Sequence, residues 1–360
     1  MEFSGLTLVL TTDCNFQCRY CYQKKSESTL GTDAAKKAID LFFPYLAQKS
    51  TLNFYGGEPL LAFGQMRDLV TYIEAKNEAG EKEIQYAVTT NGSLIDREVL
   101  RFFDAKKFSV LFSFDGKAQN LGREPESFDT VLGSLRECRE YSGIDLATNS
   151  VFTPETVGNL SGSVCLLLDE GVPAIELSFS SLSPWDEPAL SRLRQELIST
   201  GKILRDFYKR TGTVPVSNFM RPRNTGLFRC SAGEDRITLS PEELLWGCCF
   251  FYDLARRRSP DCETSKYCFG SLHSFVRNPE EAYSTGMEAY RNLRMDYFFT
   301  KKRFCQTCEH LDGCVVCPAE AAFTSTIVGM VPEELCRLRE VLQQERRRFW
   351  EEENGNSLQL

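Results

Sequence analysis

The sequence predicts an α/β protein: a partial (β/α)6 barrel followed by a small cysteine-rich α+β domain. Three observations carry this. Residues 5–180 alternate short apolar runs with amphipathic segments, no βα unit opens on a dinucleotide-type glycine fingerprint, and ten of the fifteen cysteines fall within Cys230–Cys336. Strands separated by helices imply right-handed crossovers and a parallel sheet. A barrel of such units carries its chemistry at the C-terminal ends of its strands.

The expected strands are Leu6–Leu10, Thr51–Tyr55, Ile84–Thr90, Phe108–Phe114, Leu146–Phe152 and Ala174–Ser180. Between them, apolar residues recur at helical spacing in Ala34–Gln48, Gln65–Glu78, Asp96–Phe103, Phe128–Tyr141 and Leu160–Glu170. A longer helical pattern, Pro188–Thr211, closes the region. The stretch Thr213–Phe228 holds Pro, Gly and Asn without a clear period and reads as a domain junction. The division expected is therefore a barrel over 1–220, a cysteine-rich domain over 221–345 and a charged tail over 346–360. The run ERRRFWEEEN in that tail reads as a solvated helix face.

Composition narrows the function. With 360 residues, 42% of them hydrophobic, the chain can bury a large core. A net charge of −8 argues against broad nucleic-acid binding, which rests on Lys and Arg at phosphates. No apolar run reaches the roughly 18 residues of a spanning helix, and the start MEFSGLTLVLTTDCN lacks a basic signal-peptide region. A cytoplasmic enzyme is expected. Fifteen cysteines beside two histidines weaken His-ligated zinc and His-based hydrolysis. In a reducing compartment, thiolate ligation of iron–sulfur clusters or zinc remains.

The spacing Cys14-x3-Cys18-x2-Cys21 directly follows the first strand. Three thiolates on one loop can hold three irons of a cubane and leave the fourth iron open, whereas a closed zinc site needs a fourth ligand that the nearby sequence lacks. Gly56-Gly57-Glu58-Pro59 ends the second strand, Thr89–Leu94 (TTNGSL) the third and Ser113–Gly116 (SFDG) the fourth. Glycines permit close backbone approach, and a carboxylate pairs with an ammonium. Alone, Asn-Gly and Asp-Gly read as plain turns; at successive strand ends they mark a site.

The octapeptide CNFQCRYC, with Tyr20 before its last cysteine, resembles the cluster loop of radical S-adenosylmethionine (radical SAM) enzymes. The resemblance implies a [4Fe–4S] cluster on Cys14, Cys18 and Cys21 whose open iron is chelated by the amino and carboxylate groups of S-adenosylmethionine. One electron then gives methionine and a 5′-deoxyadenosyl radical that abstracts a substrate hydrogen. It further implies cofactor contacts from Tyr20, Gly56, Gly57, Glu58, Thr90, Asn91, Ser113 and Asp115, with Glu58 at the methionine ammonium. The resemblance also offers Arg123 as a partner of the cofactor carboxylate, but the segment around it is shorter than the family's pattern, and it is read as a surface arginine. No residue is assigned to the hydrogen-abstraction step.

The second group reads Cys230-x17-Cys248, Cys305-x2-Cys308-x5-Cys314-x2-Cys317 and Cys336. It resembles the SPASM domain of radical enzymes that modify peptides and proteins, which holds two auxiliary [4Fe–4S] clusters. Carried over, Cys305, Cys308, Cys314 and Cys336 ligate the outer cluster, and Cys230, Cys248 and Cys317 the inner one. Cys249, Cys262 and Cys268 are candidates for the fourth inner ligand, or that iron is open to substrate. The chain departs from the family twice: Val315-Val316 replaces three residues, and Glu243 stands where the family has a glycine. The other reading of paired CxxC motifs is a zinc ribbon. Cys138 and Cys165 read as small buried hydrophobes.

The resemblance implies an oxidoreductase that crosslinks, epimerises or oxidises a ribosomally made peptide. It also implies a low-potential donor, flavodoxin or ferredoxin. Because the sequence begins at its first strand, leader recognition is expected to fall to a separate protein or to be absent. Two alternatives are an anaerobic sulfatase-maturating enzyme and an iron–sulfur electron carrier without radical chemistry. In sulfatase-maturating relatives an acid directly follows the inner-cluster cysteine as proton acceptor. Here Cys249 holds that position and the next acid is Asp253, so formylglycine formation is not expected.

Overall fold

Strand β1 (Phe3–Thr11) is buried along almost its whole length. That suits a parallel strand with a neighbour on each side, which reads as a continuous apolar run. The computed structural model describes residues 1–220, 230–258, 262–293, 305, 307–309, 314, 316–325 and 327–354. After β1 come α1 (Thr32–Phe42), β2 (Leu46–Gly56), α2 (Phe63–Lys76), β3 (Glu83–Thr90), α3 (Arg97–Ala105) and β4 (Ser109–Ser113). Then follow α4 (Gln119–Gly122), α5 (Phe128–Arg139), β5 (Asp145–Phe152), α6 (Leu160–Asp169), β6 (Ile175–Phe179) and α7 (Glu187–Thr211). All six expected strands are present.

Local chemistry sets the ends. Helix α1 stops at Phe42, six residues before the expected Gln48, and gives way to a 3-10 turn over Phe43–Tyr45. Pro44 has no N–H to donate and its ring crowds the preceding turn, so the helix cannot continue. Asp96 caps α3 by accepting from the Val99 amide at 2.9 Å, and Asp186 caps α7 by accepting from Ala189 at 2.9 Å. Gly212, left-handed at φ 72°, ends α7.

The cysteine-rich half supplies β7 (Arg236–Leu239), β8 (Leu244–Trp246), α8 (Cys249–Arg257), α9 (Cys262–Ser265), β9 (Cys268–Ser271), α10 (Leu272–Arg277), α11 (Pro279–Arg291), α12 (Pro318–Ala322) and α13 (Glu333–Asn354). Its strands do not form a separate sheet. One nine-stranded sheet runs β6-β5-β4-β3-β2-β1-β7-β8-β9, with β7 parallel to β1 in the register Gly5↔Arg236 to Leu8↔Leu239. The first six strands are the partial barrel. Val216, within the expected junction, bridges Ile175 at the outer edge of β6; residues 221–228 of that junction lie outside the described residues.

The tail departs from its expected form. Helix α13 runs through the boundary drawn at 345/346, and its charged run has a packed face. Phe349 is buried edge-on against Phe219 at 5.3 Å, and Glu345 is buried near Arg194. An aromatic every few turns is enough to dock a helix whose other faces are charged.

Candidate active site

The loop after β1 carries Cys14, Cys18 and Cys21, and the end of β2 lies directly on it. Gly57 N–H donates to Thr11 O at 2.9 Å and Glu58 N–H to Asp13 O at 2.8 Å. A Cβ at Gly56, where φ is +151°, would sit 2.1 Å from Thr11 O, and one at Gly57 would sit 2.1 Å from Asp13 O. Only glycine allows this approach. A cavity of about 330 Å³ opens above the loop, and Cys14, Cys18, Tyr20, Cys21, Gly56, Gly57, Thr90, Asn91 and Ser113 line it.

Glu58 and Asp115 do not line it. Both carboxylates are fully buried and turned inward. Glu58 Oε1 accepts from Leu60 N–H at 3.0 Å and the Thr90 hydroxyl at 2.8 Å, and Oε2 accepts from Asn91 N–H at 2.7 Å. These three bonds tie β2 to β3 and hold the carboxylate away from the cavity. Burial, opposed by those bonds, raises its pKa to about 7. Asn91 extends the tie, donating to Asn15 Oδ1 at 2.9 Å and to Cys14 Sγ at 3.9 Å.

Asp115 accepts from the Tyr20 hydroxyl at 2.5 Å, from Arg123 Nε at 3.0 Å and from Val151 N–H at 2.8 Å. Arg123 is therefore no surface arginine. It is 7% exposed, lies over the Tyr20 ring at 5.5 Å, donates to Asn149 O at 3.2 Å and reaches the cavity wall. Burial works against its charge, but Asp115 beside it outweighs that and holds the guanidinium protonated.

Lys25, Tyr22, Gln23 and Tyr55 are among the cavity residues that the sequence did not single out. Lys25 Nζ is buried without a hydrogen-bond partner among the described residues, and its charge acts on Cys14, Cys18 and Cys21. Burial raises all three thiols, and Lys25 opposes it. Tyr22, Tyr55 and Gln23 form the opposite wall. The two hydroxyls are 2.6 Å apart, and Tyr55 and Gln23 each donate to Asp253 at 3.4 Å. Asp253 is 2% exposed, and burial raises it to about 7. The one available sequence signal for Tyr55 is its place before Gly56.

The cysteine-rich half roofs the cavity with Phe250, Phe323, Glu320 and Arg339. Phe250 stacks on Tyr22 at 5.1 Å. Its thiols fall into two sets. Cys317 acts electrostatically on Cys248 and Cys230, while Cys314 acts on Cys336, Cys308 and Cys305. Cys248 stands at the N-cap position of α8, where the Cys249 thiol donates to it; that bond outweighs burial and favours the Cys248 thiolate. Cys249 thus lies against Cys248 as its donor. Cys268 accepts from Gly270 N–H at 3.4 Å and opens onto a different groove, beside α11. The Cys262 side chain lies outside the described residues, as does Val315. Glu243 adopts φ 58°, the left-handed conformation that a glycine takes freely.

Cys138 is buried as expected. Cys165 is only half-buried and donates to Asp169 at 3.7 Å, because the 3.6 period turns Val164, Leu167 and Leu168 inward beside it. Among the described residues no group of three His, Cys, Asp or Glu side chains closes round a single metal ion. The donor chemistry does fit a larger anionic group: three thiols share a loop with an unpaired buried ammonium, a costly arrangement that an anion beside it relieves.

Residues 8–161 match the radical SAM superfamily model. This chain carries a radical SAM domain. An uncharacterized protein of Methanocaldococcus jannaschii is 31% identical over 186 residues, 50% of this chain and 63% of that protein. A cysteine-type anaerobic sulfatase-maturating enzyme of Clostridium novyi is 26% identical over 155 residues, 39% of this chain and 41% of that protein. The matches thus span less than two thirds of either relative's own length. Among solved structures, anSMEcpe with bound AdoMet and Cp18Cys peptide superposes with a TM-score of 0.75 at 16% identity, covering 98% of this chain and 99% of that one. SuiB of Streptococcus suis bound to its precursor peptide SuiA superposes at 0.58 with 14% identity, covering 93% and 76%. The fold as a whole is that of these two solved structures. The radical SAM family implies a [4Fe–4S] cluster with S-adenosylmethionine. Among the described residues no helix is long and apolar enough to cross a membrane.

Proposed function

We propose that this radical SAM protein modifies a side chain of a ribosomally made peptide or protein by an oxidative crosslink, an epimerisation or a related step. One observation carries the reading: the cavity has the Cys14–Cys21 loop on one side and Phe250, Phe323, Glu320 and Arg339 of the cysteine-rich half on the other. A substrate side chain entering it lies between the Cys14–Cys21 loop and the half of the chain that carries the other thiols. Both peptide-bound structures cited above share this fold.

When bound to Cys14, Cys18 and Cys21, the cluster and its S-adenosylmethionine supply a hydrogen-abstracting radical. The protein's residues do the rest. Lys25 balances the thiolate charge. Gly56 and Gly57 let the β2 backbone meet the cofactor, and Thr90, Asn91 and Ser113 offer hydrogen bonds at the strand ends. Arg123 presents a guanidinium suited to a carboxylate. Tyr20, Glu58 and Asp115 position these groups from behind. Cys305, Cys308, Cys314 and Cys336 would hold the outer auxiliary cluster, and Cys230, Cys248 and Cys317 the inner one, with Cys249 against it. Such clusters need a low-potential donor such as flavodoxin or ferredoxin. A separate leader-binding protein is a further partner to look for. The domain division at 220 and 345 separates the two cysteine regions but not the shared sheet.

Asp253 supports a second reading, formylglycine formation. The acid missing beside Cys248 is supplied one helical turn further along α8, on the same face, and reaches the cavity through Tyr55 and Gln23. Anaerobic incubation with dithionite and S-adenosylmethionine tests the core reading, and the expected result is 5′-deoxyadenosine. None at full iron loading would leave an electron carrier. A sulfatase-derived cysteine peptide separates the two enzymes: formylglycine from it would overturn crosslinking or epimerisation as the activity.

A further inference from the structure

We propose that Arg339 and Arg346 of α13 set the reduction potential of the outer auxiliary cluster, acting as its fixed neighbouring cations. This rests on the auxiliary-cluster reading given above. Cys336, Arg339 and Arg346 follow one another on α13 at spacings of three and seven residues, which places them along one helix face. The same face therefore carries one thiol of the outer set and both guanidinium groups.

Arg339 is held in place by α12. Its Nη2 donates to both Glu320 oxygens at 3.2 and 2.9 Å, and Glu320 lies three residues beyond Cys317. Its Nε is buried and has no hydrogen-bond partner among the described residues. A buried donor without an acceptor is costly, and sulfur of a neighbouring cluster would relieve it. The charge already acts on the outer set: Arg339 favours the thiolate form of Cys314, and Arg346 also interacts with Cys314. Gln343, one turn before Arg346, accepts from its Nη2 and fixes that side chain too.

Four thiolates around a cubane carry net negative charge, and one added electron increases it. A nearby guanidinium favours the reduced form and so raises the potential. Arginine stays protonated throughout the working pH range, which makes the bias permanent. Because Arg339 also walls the cavity, substrate and outer cluster meet the same cation from two sides.

The test is an EPR-monitored redox titration of the full chain, reconstituted anaerobically in a C14A/C18A/C21A background so that only auxiliary clusters report. Arg339→Gln and Arg346→Gln should each make the outer cluster about tenfold harder to reduce, a fall of about 59 mV for a one-electron couple. Arg339→Lys should stay near the parent value. Iron content is measured on every sample. About eight iron with unmoved midpoints in both Gln variants overturns this inference alone, whereas a parent without auxiliary iron overturns the cluster reading beneath it. If Arg339→Gln sheds iron, Arg346→Gln decides, since it leaves the Glu320 pair intact.

Discussion

The Tyr22 and Tyr55 hydroxyls stand 2.6 Å apart, and Tyr55 passes the contact on to Asp253 at 3.4 Å. Burial lifts Asp253 to about 7, so it accepts a proton only once pH has risen through that value. If proton removal limits the reaction, product formation rises with pH through about 7. Asp253→Asn should flatten that profile and slow product formation by about 10²–10⁴-fold while leaving 5′-deoxyadenosine release in place. A D253N variant with full product yield would remove Asp253 from the chemistry.

Glu58 offers a stability measurement. Gln at this position turns an N–H toward one of three amide or hydroxyl donors, which should cost the apoprotein about 1–3 kcal/mol in urea unfolding. The pH sign follows from the raised pKa. The wild-type contribution is fully present below the unfolded value of 4.5 and is lost as pH rises through about 7. The wild-type advantage over E58Q should therefore shrink across that window. A constant difference would show that Glu58 titrates normally.

Cluster stoichiometry follows from the three thiol sets. Anaerobically reconstituted protein should hold about twelve iron and twelve sulfide. C14A/C18A/C21A should keep about eight iron and release no 5′-deoxyadenosine. About four iron in the unaltered protein would leave room for the first cluster only.

Lys25→Met should act in opposite directions on two states. Removing an unpaired buried ammonium stabilises the apoprotein, by about 1–3 kcal/mol in denaturant midpoint analysis. The same change removes the cation that opposes burial at Cys14, Cys18 and Cys21, so iron at that site should fall. Lower apoprotein stability would mean that Lys25 has an anionic partner in the absence of iron.

Cys249 gives the last test. As a donor to Cys248 it should be replaceable by Ser with iron retained, while the EPR signal of the inner cluster shifts. Loss of that cluster in C249S would make the sulfur itself a ligand, and an unchanged spectrum would make it a spectator.

The barrel strands were legible because a strand buried on both faces announces itself as an apolar run, as Leu6–Leu10 does. Cys14, Cys18 and Cys21 were legible because their spacing is local. What failed depended on partners distant in sequence. Glu58 turns inward because Thr90 and Asn91, from another strand, offer it three donors together with Leu60. Arg123 is drawn inside by Asp115 through the short helix α4, which a four-residue segment cannot signal. Strand β7 has only four residues, so its parallel pairing with β1 had no period to betray it. Asp253 was read as too far from Cys249, when a helix places residues four apart on one face.

The pairing of β7 with β1 also bears on how such proteins can be taken apart. A chain ended after α7 would lose the neighbour of Gly5–Leu8 and present four residues of unpaired backbone donors and acceptors in an apolar strand. Exposed edges of that kind recruit other chains, so the truncated product should aggregate rather than behave as a minimal cofactor-cleaving enzyme. Grafting this cysteine-rich region onto another barrel meets the same requirement in reverse, since the recipient's first strand must accept Arg236–Leu239 in register. Exchange between relatives is thereby restricted to partners with matching edges.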